Sequence, residues 1–266
     1  MSHSYIDAFT YLFKHKNWFA KILVGSLLFF FIKLIELAIA VLGSGEIPHL
    51  NPELLNVESP LQVLIYMLLN VGGVLLCLLS IWMSATLCGY FITAIRRYMR
   101  GQEDAIPNWD GVIKKLFVRG FKVMVGLFFL SVFCYLFSQV VGNYSVFLAS
   151  YNNLHSSISA YFLGAFVCLY IIVLFPALIM SYCENDKFFA LFNFVRAKQI
   201  AVKSIGQYSL MLLKLFSILI IAISCVSLFF SFKIGIIILP FVFFYLLIVF
   251  GNIIAQYYVL YCKEEQ

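Results

Sequence analysis

The sequence predicts an all-α integral membrane protein of about six transmembrane helices. They form three helical hairpins, each preceded by an amphipathic interfacial helix on the cytoplasmic side. Three observations point there. Of the 266 residues, 64% are apolar and 11% charged, with a mean hydropathy of +1.00, well outside the soluble range of roughly half apolar and a quarter charged. The apolar residues come in runs long enough to cross a hydrocarbon core of ~30 Å. The basic residues gather at the ends of those runs, where topology signals sit. The net charge of +6 therefore reads as topology and attraction to anionic headgroups, with no nucleic-acid partner. The 29 Phe and 16 Tyr suit lipid-facing surface and interfacial belts.

Residues 1–18 have helical amphipathic spacing, with Tyr5, Ala8, Phe9, Leu12 and Phe13 against Asp7, Lys14 and His15. Trp18 marks an interface, and the first membrane helix is expected over Phe19–Leu42. Ala38-Ile39-Ala40 resembles a signal-peptidase site, but the run before it is too long for a signal core and contains Lys33 and Glu36. A polar, proline-rich loop follows to residue 60. The second apolar run, Leu61–Ile95, would extend ~50 Å as a helix. Its far end is expected either to project into water or to bend at Gly72-Gly73. Ser80, Ser84 and Cys88 recur four apart on it and are expected to let a neighbouring helix approach closely.

The stretch Gly89–Lys122 carries seven of the 18 Lys and Arg residues. Arg96, Arg97 and Arg100 close the second run. With Glu103, Asp104 and Asp110 they form the densest charge set in the chain and, with Trp109, a candidate cytoplasmic docking elbow or a topology signal with local salt bridges. After Pro107, with Asn108 as expected N-cap, Trp109, Val112, Ile113, Leu116, Phe117 and Phe121 make one stripe. Lys114, Lys115, Arg119 and Lys122 make the opposite, basic face, as in a helix lying in a membrane surface.

A third membrane helix is expected over Phe121–Val141, and a fourth over Ile158–Tyr182 with Pro176 inside. A third amphipathic segment covers Lys187–Ser204, with Phe188, Leu191, Phe192, Val195 and Val202 on one side and Arg196 and Lys203 on another. The fifth and sixth membrane helices are expected over Tyr208–Phe230 and Ile234–Tyr258. With the N-terminus inside, 15 of the 18 basic residues lie on the cytoplasmic side. Both termini are therefore placed in the cytoplasm. The chain reads as one polytopic domain, 1–266. The rhythm of amphipathic helix, membrane helix and return helix suggests pseudo-repeats over 1–95, 96–184 and 185–262.

At GYFITAIRRYMRGQEDAIPNWDG the chain resembles a prokaryotic membrane family catalogued as domain of unknown function 4013. The likeness is carried by Gly89, Tyr90, Arg96, Arg97, Arg100, Gly101, Glu103, Asp104, Pro107, Trp109 and Asp110. The opening YIDAFTYLFKHKNWFAKILVGSLL is also similar, through Ala8, Phe13, Trp18, Lys21 and Gly25. The resemblance implies this architecture and carries no activity.

Ionisable groups within a membrane are default functional candidates. Lys33 and Glu36 share a face of the first helix, and Asn70 of the second falls at similar depth. This polar cluster is either a solute or proton site or a neutralised structural pair. Asn252 and Gln256, four apart on the last helix, are expected to bond neighbouring helices. The seven cysteines show no Cys-x-x-Cys, and the four histidines lie in tails and loops. No catalytic set, cofactor site or metal site is legible. Three functions remain, in this order. The first is a membrane subunit or scaffold that organises lipids or membrane and cytoplasmic protein partners through the elbows. The second is a small transporter or permease subunit using the polar cluster. The third is a lipid-active enzyme, for which nothing positive speaks.

Overall fold

The computed structural model describes residue 13 and residues 17–43, 60–102, 106–109, 111–150, 154–230 and 235–263. Most of the first amphipathic segment and of the 43–60 loop, and Glu103, Asp104 and Asp110, lie outside them. Among the described residues there is no strand. The elements are α1 (Trp18–Gly43), α2 (Pro60–Met99), α3 (Ile113–Ser150), α4 (Leu154–Asn185), a 3-10 turn (Phe188–Phe192), α5 (Phe194–Lys203), α6 (Ile205–Phe230) and α7 (Gly235–Tyr261). Six of these helices are long and apolar enough to cross a membrane. All six expected spans are therefore present, and α1–α2, α3–α4 and α6–α7 are consecutive long helices.

Burial separates the six. In α4 and α7 most of the apolar window is covered by protein, whereas α3 leaves nearly all of it exposed. Phe128, Phe129, Phe133, Leu136 and Val140 of α3 all point outward, where hydrocarbon solvates them as well as a protein core would. α2 has a different role at each end. Its second half, from Met83 to Met99, is buried at most positions and meets α1, α3, α4 and α7. Gly72 and Gly73 do not interrupt it. At 40 residues it is ~60 Å long, about twice the hydrocarbon core, and it runs through without a break.

α2 and α3 cross with their backbones in direct contact. A Cβ on Gly89 would sit 1.8 Å from the Leu116 carbonyl oxygen, and one on Gly120 would sit 1.7 Å from that of Ala85. The two backbones therefore touch directly, as small residues at membrane helix crossings allow. The expected seam of Ser80, Ser84 and Cys88 is not the one used. The contact runs through Ala85 and Gly89, one position round the helix.

Two expected amphipathic segments fold differently from their periodicity. The central one has no separate helix: Ile113 to Ser150 is one continuous α-helix. It begins after Asn108, the expected N-cap, because Gly111 takes φ +65, a left-handed conformation that interrupts a right-handed helix. The first α-helical bond is Leu116 N–H to the Val112 carbonyl. The third segment breaks in two at Asn193, whose side chain accepts from Arg196 N–H at 2.9 Å and caps α5. The stripe predicted along it also divides. Leu191 is buried, but α5 buries Ala197, Ile200 and Ala201, leaving Val195 and Val202 outside. Small side chains let α5 lie close, and Tyr257 of α7 donates to the Ile200 carbonyl at 2.9 Å.

Candidate functional site

The end of the bundle where α2 stops and α3 begins is rich in basic residues, and most of its side chains bind the chain itself. Trp109 turns inward. Its ring stacks on Tyr90, centroids 4.2 Å apart and 8° from parallel, and its Nε1–H donates to the Lys21 carbonyl at 3.1 Å. Lys21 answers by donating from Nζ to the Ile106 carbonyl at 3.0 Å. Trp109 and Ile106 flank Pro107, so this exchange fastens the elbow to the first turn of α1. A buried cation at a carbonyl is the membrane-end arrangement that spares it desolvation without a partner.

Asp186, just beyond α4, collects two arginines. Arg119 of α3 meets it with Nε and Nη2 at 3.3 and 3.1 Å, and Arg96 of α2 is also ion-paired to it. Arg119 donates a third bond, 2.7 Å, to Thr93 of α2. Burial would raise the Asp186 carboxyl. The bonds and charges of Arg119 and Arg96 outweigh burial and hold it below the ordinary carboxylate range. Glu184, two residues earlier, takes Arg196 of α5 at 2.9 and 3.1 Å. These ion pairs tie α2, α3, α4 and α5 together at one end.

The spans enclose a second feature. A cavity of about 590 Å³ is lined by α1, α2, α3, α4, α6 and α7, and is partly open. Every lining residue lies within one of the six candidate spans. The wall is apolar, with Phe29, Phe91, Phe175, Phe243 and Phe250 supplying aromatic faces. Its charged members are Lys33 and Glu36, ion-paired at 2.7 Å with roughly half of each side chain exposed. Lys33 Nζ also stands 5.6 Å from the Phe29 ring centroid. Ser84 and Cys88, expected to form a packing seam, face this cavity.

The predicted site residues therefore separate. Lys33 and Glu36 meet each other on the cavity wall, and the side chain of Asn70 lies outside the described part. Of the elbow set, Arg96 and Trp109 are engaged within the bundle, Arg97 is half-buried, and Arg100 is exposed. Of the basic face, Lys114, Lys115 and Lys122 are exposed, whereas Arg119 points inward to Asp186. Helical period placed all four on one face. It could not show that Arg119 has a partner 67 residues away. Asn252 and Gln256 are buried. Sequence reading missed Lys21, Thr93 and Asp186 as organising residues. A lone Lys just inside an apolar run was the available signal for Lys21. Among the described residues no group of three or more His, Cys, Asp or Glu side chains is placed to hold a metal.

Six long apolar helices around a cavity, with a basic end, define a multi-pass all-α membrane protein. The model of the family described as protein of unknown function (DUF4013) matches residues 72–232, and the chain belongs to that family. The matched part contains the elbow motif, and the similar N-terminal stretch falls outside it. No curated protein and no solved structure matches.

Proposed function

We propose that this protein binds a chain-bearing amphiphile, a membrane lipid or a molecule of that kind, inside its helical bundle, and does so without chemistry on it. The cavity of about 590 Å³ supports this reading. Its size falls in the ~300–1,000 Å³ range of small-molecule sites. Water has few hydrogen-bond partners on such a wall, and an apolar cavity stays dry. Left empty, its apolar wall would forfeit dispersion contacts. In a membrane the abundant solute that fits is a hydrocarbon chain.

The scaffold reading keeps its lipid half. Arg96 and Trp109 are engaged inside the bundle, so the reading favours lipid over a docked protein. Arg100, Lys114, Lys115 and Lys122 are exposed and suit anionic headgroups. By the excess of basic residues that end faces the cytoplasm, with both termini on the cytoplasmic side of a prokaryotic inner membrane. A transporter is the second reading, favoured by the presence of Lys33 and Glu36 on the same wall.

Lipid retention tests the first reading. Protein extracted gently from its membranes should carry lipid at close to one molecule per chain. Ala222→Trp, which projects an indole from the wall, should remove it while leaving the thermal transition in place. Equal lipid content in both proteins sinks the proposal. Flux of the retained molecule across liposomes then separates binding from transport.

A further inference from the structure

Resting on the amphiphile reading above, we propose that the cavity selects a lipid with a zwitterionic headgroup, of the phosphoethanolamine class. Its chain would lie along the apolar wall, with its phosphate on Lys33 and its ammonium on Glu36. The two side chains are three residues apart on one face of α1 and pair at 2.7 Å. As a unit they are neutral. They stand ~22 Å along α1 from Trp18, towards the end of the span away from the basic elbow. That depth lies near the opposite headgroup layer, where a lipid carries its own charges.

Charge balance decides the class. Both side chains are roughly half exposed, and within a membrane span a charge that loses its partner is left costly and uncompensated. An anionic headgroup that takes Lys33 strands Glu36, and a cationic one that takes Glu36 strands Lys33. An uncharged lipid leaves the pair closed and gains nothing from it. A headgroup with both signs takes both partners, and no charge is left over. Among the described residues, Lys33 and Glu36 are the charged members of this wall. The Phe29 ring beside Lys33 holds the ammonium at the rim while it changes partner.

The test is a competition on the full-length protein in detergent, read by native mass spectrometry. Equimolar phosphatidylethanolamine, phosphatidylglycerol and diacylglycerol share the same acyl chains. Phosphatidylethanolamine should be retained about tenfold over each of the others. In Glu36→Gln, which leaves Lys33 unpaired, preference should move to phosphatidylglycerol. A structural pair would lower stability there without changing headgroup order. Equal or better retention of phosphatidylglycerol or diacylglycerol by the unaltered protein overturns the zwitterion assignment and leaves the amphiphile reading standing. Failure to retain any of the three overturns both. If Glu36→Gln does not fold, the competition on the unaltered protein decides alone.

Discussion

Trp109 carries most of what a single residue can show here. Its ring stacks on Tyr90, and its N–H reaches the Lys21 carbonyl. Replacing it separates the two contributions. Trp109→Phe keeps an aromatic face and loses one hydrogen bond, a loss of ~1 kcal/mol. Trp109→Ala empties the stack and should cost ~3 kcal/mol. Thermal unfolding in detergent ranks them, and equal losses would assign the whole effect to the indole N–H. Asp186 supplies a second prediction. Its folded pKa is lowered, so the stabilisation it gives is complete above the ordinary carboxylate pKa of about 3.9. That stabilisation is lost as pH falls through the folded value. Asp186→Asn should therefore unfold earlier than the unaltered protein at pH 7, and the gap should narrow as pH falls below the ordinary carboxylate value. A gap independent of pH would show that Asp186 is not held by its charge. Sequence made Trp109 visible as an interfacial aromatic, but only the fold could reveal the inward turn at Gly111 that hides it. Asp186 gave no periodic signal, because its partners are on other helices.

At the scale of elements, the six spans were legible because length and hydropathy decide them locally, and the structure extends most of them by a few residues. The interfacial segments were less so. A stripe at helical period is the same whether a helix lies in the membrane surface or continues into it. α3 continues, because Gly120 lets it cross α2 with the backbones touching. That crossing predicts a strong effect from a small change. Gly120→Ala places a methyl against the Ala85 carbonyl, which is backbone and cannot rotate away. The loss should reach or exceed the ~1–3 kcal/mol of ordinary overpacking, read as a fall in the thermal transition. Gly142→Ala, on the same helix with open space around it, is the control. An equal, negligible change at both positions would contradict the crossing. The Ser84 and Cys88 pair teaches a related lesson. Small residues in a row mark a place of close approach or of vacancy, and only the neighbouring helices determine which.

At the scale of the molecule, one end of the bundle is fastened by ion pairs and the elbow clasp, while its middle is open. Fluorescence of a green fluorescent protein fused at the C-terminus tests orientation. Bright cells are expected for a cytoplasmic terminus, and dark cells with folded, inserted protein would reverse it. The central claim is that a hydrocarbon chain occupies the cavity. Its most direct test is reconstitution with a phospholipid bearing a photoreactive group on its acyl chain, followed by peptide mapping of the adducts. Occupancy predicts adducts concentrated in the segments around Ser84–Ile92, Ile218–Ala222 and Phe243–Phe250, and lost in Ala222→Trp. Adducts confined to the outward face of α3, at Phe128, Phe129 and Phe133, with the cavity segments unlabelled, would contradict it.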